Sequence, residues 1–334
     1  MAELSIVVPI YNVEEYLHEC LASIQSALHS DFDAEVICVN DGSTDKSEEI
    51  VKRFVESDQR FRLITQANGG YGKAINTGMR AATGAFFTIV ESDDLITIDA
   101  YVKILEILRR DESVDFVKAP YQPFNLEGDL DQMAIPVDNL TADDILSVPV
   151  GEVSANKFTS DKLIFQAPAI WAGVYRRSSI DRHKVCLPET PGAGYQDTCF
   201  SAMCFLNGMT YYWISDRYYM YRVDREAASR HQRNRRSEIV ALFAFVRKNL
   251  EENSRMSEVE KPYYFAVYFR RLIWFMQRCR VDHRFNLFFD AYRAFFEVWE
   301  DQDLRRNTRS LLPSGEAVLF DDFYNGRQSK LYGF

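Results

Sequence analysis

The sequence lacks any uninterrupted apolar run of about 18 residues, the length a membrane-crossing helix requires, so no span across a bilayer is expected. A leader pattern is missing as well, because Glu3 and Pro9 interrupt the early apolar stretch. Internal repeats and low-complexity tracts are absent. Cysteine is sparse: six residues lie scattered at no metal-binding spacing, which fits reduced thiols in a cytoplasm. Positive charge is also in deficit. The 334 residues carry a formal net charge of -10, which makes nucleic acid a poor partner. What the chain does have is 47% hydrophobic residues, ample for a full core.

The apolar run Phe86-Phe87-Thr88-Ile89-Val90 reads as a buried strand and leads directly into Glu91-Ser92-Asp93-Asp94. Three carboxylates at a strand end repel one another and call for a cation or a hydrogen-bonding ligand. Hard oxygen ligands suit Mg²⁺ or Mn²⁺ shared with a diphosphate. A solvated acidic turn ahead of the next helix fits the same residues, and the cluster alone leaves both readings open.

Its neighbours favour the first. Leu4–Ile10 is a second apolar strand, ending in Tyr11-Asn12, and Glu35–Val39 is a third, running into Asn40-Asp41-Gly42-Ser43-Thr44-Asp45. Between them Tyr16, Leu17, Cys20, Leu21, Ile24 and Leu28 recur at helical spacing. Asp45 and Glu48 have the spacing of a capping pair opening a helix through about Val55. A short strand over Phe61–Thr65 follows, and then Asn68-Gly69-Gly70-Tyr71-Gly72 leads a helix through Ala81, stopped by Gly84. Four strand–helix alternations predict an α/β protein with a mostly parallel sheet and helices on both faces. Ligands of such sheets bind beyond the carboxyl ends of the strands, where Tyr11, Asp41 and Glu91–Asp94 all fall.

These segments, in this order and at this approximate spacing, resemble glycosyltransferase family 2. The resemblance is close over the first third and looser to about Ser229. It implies an inverting transferase of the glycosyltransferase A-type fold that uses a nucleotide sugar, with UDP the expected nucleotide. It divides the chain into a nucleotide-sugar-binding half over residues 1–120, an acceptor-binding half of the same domain over 121–230, and a helical extension over 231–334. By the same resemblance Pro9 and Tyr11 border the nucleotide base, and Asp41 accepts a hydrogen bond from it. Asn68 and Lys73 flank the nucleotide or diphosphate. Asp93, with Asp94, holds Mn²⁺ or Mg²⁺. Glu91 stands where the family usually has aspartate.

A second landmark is Pro191-Gly192-Ala193-Gly194-Tyr195-Gln196-Asp197, opening a helix to about Leu206. Asp197 reads as a helix N-cap from its residue type, and by resemblance as the general base. Gln196 replaces the family's glutamate. Trp171 and Arg222 are the acceptor-side candidates: Trp171 to stack on a sugar, though a lone Trp also fits a core, and Arg222 to meet the diphosphate.

The expected activity is therefore transfer of a hexosyl or N-acetylhexosaminyl group to a glycan or lipid-linked acceptor, in bacterial surface polysaccharide assembly. Two other classes fit parts of the sequence. A sugar nucleotidyltransferase would carry a glycine-rich, Arg-containing loop after the first strand, where Pro9-Ile10-Tyr11-Asn12 stands. A non-catalytic nucleotide-sugar-binding protein would keep Asp41 and Asp93 without the base.

Charge is uneven along the chain. From residue 231 onward there are 18 basic against 14 acidic residues, whereas residues 1–230 carry 21 against 35. In that basic part Phe265, Tyr268, Phe269, Leu272, Met276 and Cys279 share one helix face, with Arg271 and Arg278 off it. Such a face packs on the catalytic core or on a second copy in a homodimer. Its alternative use is contact with an anionic membrane, which would place the protein at the inner face of the membrane.

Overall fold

The computed structural model describes residues 2–28, 32–125, 151–153, 169–225, 238–278 and 281–327. The first third is built as its hydrophobic periods dictate: β1 (Leu4–Ile10), α1 (Leu17–Ala27), β2 (Ala34–Asn40), α2 (Ser47–Ser57), β3 (Phe61–Thr65), α3 (Tyr71–Ala81) and β4 (Phe86–Ile89). There follow β5 (Leu95–Ile96), α4 (Val102–Arg110), β6 (Phe116–Lys118), β7 (Tyr121–Phe124), β8 (Gly151–Val153), β9 (Gly173–Arg176), α5 (Arg177–Arg182), α6 (Gln196–Leu206), β10 (Tyr211–Trp213) and β11 (Tyr219–Arg222). The strands form one large sheet in the order β3-β2-β1-β4-β9-β6-β10-β8 and one small sheet, β5-β11-β7.

In the large sheet β3, β2, β1 and β4 run parallel, with Leu4 opposite both Ala34 and Phe86. Every residue of β1 is buried, which is why it reads as a continuous apolar run rather than an alternating one. Its one polar side chain, Ser5, donates to Glu35 at 2.7 Å. β9 is antiparallel to both β4 and β6 and joins the donor-side strands to those that follow. The carboxyl ends of β1, β2 and β4 thus open on one edge, where Tyr11, Asp41 and the acidic loop 91–94 emerge.

Two local expectations need correction. Asp45 and Glu48 do not form a capping box: Glu48 accepts from Asn40 at 2.8 Å and pairs with Lys52. Asp45 instead accepts from the backbone N–H of Ser47 and of Glu14, tying α2 to the segment after β1. Asp197 is not the N-cap of α6, since the capping position is Tyr195 in left-handed conformation (φ 62°) and Asp197 lies in the first turn.

The C-terminal helices are α7 (Glu238–Glu252), α8 (Lys261–Arg278), α9 (Val281–Ala294), α10 (Phe296–Glu300), α11 (Gln302–Ser310) and α12 (Ser314–Tyr324). α7 and α8 pack on α6, and α8 also packs on α7 and α11. Phe265, Tyr268, Phe269, Leu272 and Met276 are buried, so the apolar face of α8 is the interior of this helical layer and not a surface for lipid. Phe269, for one, meets Phe295, Phe320 and Phe323. Arg271, expected off that face, is buried too. Cys279 and Ser229 lie outside the described residues. No helix among the described residues is long and apolar enough to cross a membrane.

Candidate active site

The loop after β2 is built around Asp41. Its carboxylate accepts from the side-chain amide of Gln66 (2.7 Å) and from the backbone N–H groups of Gly69 (2.9 Å) and Gly70 (2.8 Å). Asp41 is buried, and with both oxygens engaged it shapes the glycine loop, a role its place in a turn sequence does not reveal. Pro9 is buried in β1, whereas Tyr11, just beyond that strand, is 49% exposed and free to meet a flat ligand. Asn68 is exposed on the glycine loop, and Lys73 is half-buried in the first turn of α3. Pro9, Tyr11, Asp41, Asn68 and Lys73 thus lie along the strand-end edge.

The acidic loop divides its carboxylates between structure and site. Asp94 is buried, and both its oxygens are engaged: Tyr219 O–H donates at 2.7 Å and the backbone N–H of Arg222 at 2.7 Å. Burial and neighbouring Asp93 push its carboxyl well above the usual range. This departs from the expectation that Asp94 shares a metal with Asp93, because its hydrogen bonds fasten the acidic loop to β11. Asp93 stays partly exposed and pairs with Arg225 at 2.8 Å. Glu91 accepts a hydrogen bond from the Tyr71 hydroxyl. Its pKa is raised to about 8, first by burial and then by the charges of Asp93 and Asp197.

Two acceptor-side candidates are relocated by the fold. The Trp171 indole is 8% exposed and stacks on Tyr219 (4.3 Å) and Tyr221 (5.1 Å), with Tyr121 edge-on. It belongs to an aromatic wall between the two sheets and is not open to a sugar. Arg222 is 2% exposed. Its guanidinium donates to the Asp93 carbonyl (2.7 Å) and Glu19 (3.0 Å), and it lies over the rings of Tyr16 and Phe124. A cation so enclosed braces the acidic loop from behind.

Asp197 comes to the crevice from the other side. Its charge acts on Glu91 and on Tyr71, two residues of the donor half, so base candidate and acidic loop share one space. The connection is physical as well. Tyr71 donates its hydroxyl to Glu91, and its backbone N–H bonds the Gly192 carbonyl at 3.0 Å, five positions before Asp197. Gln196 is buried, donating to Thr190 (2.9 Å) and the Gly192 carbonyl (3.2 Å) and accepting from the Gly194 N–H. A glutamate could not donate in this way, so Gln196 is the brace of the base loop.

Sequence reading missed Lys118. It ends β6 opposite Gly173, is buried, and donates to the Ala169 carbonyl. Burial pulls its pKa down to about 7, while the charges of Cys204 and Asp197 push it back up. No signal in the segment Phe116-Val117-Lys118 marks that lysine as interior. Among the described residues no group of three His, Cys, Asp or Glu side chains is arranged to hold a metal by itself.

The strand-end crevice has the acidic loop on one wall and Asp197 on the other, in a fold of the glycosyltransferase A-type. Residues 5–152 match the family model described as glycosyl transferase family 2. EpsJ of Bacillus subtilis, an uncharacterised glycosyltransferase, is 29% identical over 219 residues, 66% of this chain and 60% of its own length. The chain thus spans less than two thirds of that relative. A crystal structure of residues 1–349 of S. aureus TarS in complex with UDP-GlcNAc superposes with a TM-score of 0.75 at 18% identity, covering 99% of this chain and 89% of that one. The mannosyltransferase PcManGT from Pyrobaculum calidifontis, in complex with GDP-Man and Mn2+, has the same fold at a TM-score of 0.52 and 16% identity, covering 98% and 88%. Residues 5–152, somewhat under half of the chain, thus carry the pattern of glycosyl transferase family 2.

Proposed function

We propose that this glycosyltransferase moves a hexosyl or N-acetylhexosaminyl group from a UDP-sugar to a hydroxyl of a glycan or lipid-linked acceptor, with inversion. The observation that carries the reading is the link through Tyr71, whose hydroxyl donates to Glu91 of the acidic loop and whose backbone N–H donates to the Gly192 carbonyl of the loop that ends at Asp197. Tyr11 and Asp41 would border the nucleotide base, and Lys73 and Arg225 would face the diphosphate. The TarS complex with UDP-GlcNAc supports a uridine nucleotide.

Asp93 fits a divalent cation of the Mg²⁺ or Mn²⁺ kind, which needs one or two protein carboxylates and takes its other ligands from phosphate and water. Glu91 is raised first by burial and then by the nearby charges of Asp93 and Asp197, and a bound cation would relieve the second of these. When bound, the cation would offset charge growing on the departing diphosphate. The protein's own part is to take the proton from the acceptor hydroxyl at the Asp197 carboxylate as that oxygen attacks the anomeric carbon from the face opposite the diphosphate. One displacement with one base inverts the configuration. A non-catalytic binding protein is disfavoured because Gln196, the one departure near the base, is a loop brace and leaves Asp197 in place.

The test is hydrolysis of UDP-glucose, UDP-galactose, UDP-GlcNAc, UDP-GalNAc and GDP-mannose, each in Mn²⁺ and in chelator, with UDP affinity read by calorimetry. Asp197→Asn should lower turnover by on the order of 10²–10⁴ and leave UDP affinity in place. Asp93→Asn should lose UDP affinity in Mn²⁺. Turnover of Asp197→Asn near the wild-type rate would show that the base lies elsewhere, and equal UDP affinity in Mn²⁺ and chelator would remove the metal from the scheme.

A further inference from the structure

Helix α3 does more than open the glycine loop. Asn76, buried on its inner face, makes a two-way amide contact with Leu187: its Nδ2 donates to the Leu187 carbonyl at 2.8 Å, and its Oδ1 accepts from the Leu187 N–H at 2.9 Å. The same Nδ2 reaches Glu189 at 3.1 Å, and Arg80, one turn on, pairs with Glu189 at 3.5 Å. Leu187 starts the loop that ends at Asp197. At the other end of that loop Gln196 donates to Thr190 and Gly192.

Two glycines of the donor side are glycines for the sake of this loop. Gly70 has φ 89°, and a Cβ there would lie 2.3 Å from the Thr190 carbonyl oxygen. A Cβ on Gly72 would lie 2.2 Å from the Pro188 carbonyl oxygen. In both cases the obstruction is backbone, which cannot swing aside. The first turns of α3 and the base loop are therefore packed main chain against main chain, with Asn76 as the side chain that pins one to the other.

We propose that Asn76 is a positioning residue of the transfer step, holding Asp197 at the acceptor hydroxyl through Leu187 and the 188–194 loop. The proposal rests on the reading of Asp197 as general base. Asn76 touches no reacting atom. It sets where the loop starts, Gln196 sets where it ends, and a base displaced by about 1 Å can lose on the order of 10²-fold in rate.

Asn76→Ala and Thr190→Val test this in the full chain beside Asp197→Asn. The readouts are kcat and KM for hydrolysis of whichever nucleotide sugar in the panel above turns over fastest, with UDP affinity by calorimetry. Both variants should lower kcat about 10- to 100-fold while KM and UDP affinity stay within about twofold, the split expected when only the reacting geometry is lost. An unchanged kcat in folded Asn76→Ala, or joint loss of kcat and UDP affinity, overturns the proposal. Should Asn76→Ala fail to fold, Asn76→Ser decides by the same criteria, because it keeps a small polar side chain in α3 and removes the two-way amide contact with Leu187. If Asp197→Asn hydrolyses at the wild-type rate, the base reading falls and this proposal with it. If Asp197→Asn is slow while both loop variants are fast, the proposal alone falls.

Discussion

The strand-end loops of the first third and the helices of the last third solve different problems with different residues. Around β1, β2 and β4 the interior carries polar groups with stated partners: Asp41 under the glycine loop, Asp94 between Tyr219 and Arg222, Asn40 on Glu48. In the helices around α8 the interior is aromatic, with Phe269 edge-on to Phe320 and Phe288 edge-on to Phe323. Polar bracing fixes directions, because each hydrogen bond accepts one geometry. Aromatic packing fixes volume, and many sets of rings would fill the same space. The first region can therefore be read from its motifs, and the second cannot.

The comparison is broken most sharply by a ring in the aromatic layer. Phe269→Ala should cost about 3–5 kcal/mol of stability, the usual loss for a large buried ring, measured by urea denaturation. If the helices serve only as volume, the variant at a temperature where it stays folded should bind UDP with wild-type affinity. Loss of UDP affinity in the folded variant would show that the two regions are not separate in function.

Lys118 is a buried cation in the large sheet, held by a hydrogen bond to the Ala169 carbonyl. Its folded pKa of about 7 lies below the ordinary lysine value of 10.5. Between those values the unfolded chain binds more protons at this site, so its contribution makes stability rise with pH, by up to about 1.4 kcal/mol per pH unit. Below about 7 both states are protonated and the cost of burying the ammonium is full. Lys118→Met should therefore gain on the wild type at pH 6 relative to pH 9. Parallel stability curves for the two proteins from pH 6 to 9 would refute this.

The smallest effect should come from the outside of the aromatic region. Phe296 is 62% exposed, and Phe296→Ser should shift stability by no more than about 0.5 kcal/mol in the same urea titration. A larger loss would mean that the ring is covered in solution.

Most of the sheet was legible because its strands announce themselves. β1 and β3 have the predicted bounds, β2 is longer by a residue at each end and β4 shorter by one, since buried parallel strands read as apolar runs. The glycine loop and the acidic loop were legible as strand-end motifs. What stayed hidden depends on contacts distant in sequence. Asn76 looks like a polar residue in a helix until Leu187, 111 positions on, arrives beside it. Arg222 reads as a surface arginine, and Trp171 could stack on a sugar or fill a core, until β11 and β7 pair beside them. Asp94 could not be told from Asp93, because only the position of Tyr219 separates their tasks.

Tyr195 holds a left-handed backbone at the head of α6 and sets its ring edge-on against Trp274 and Phe275 of α8. Two residues on is Asp197. In any chimera that exchanges the C-terminal helices between related transferases, the graft boundary is chemical as well as structural: a tail without a matching pair of rings would hand the head of α6 a different seat. Transplanted tails should then be chosen by their fit to Tyr195 before their acceptor is considered.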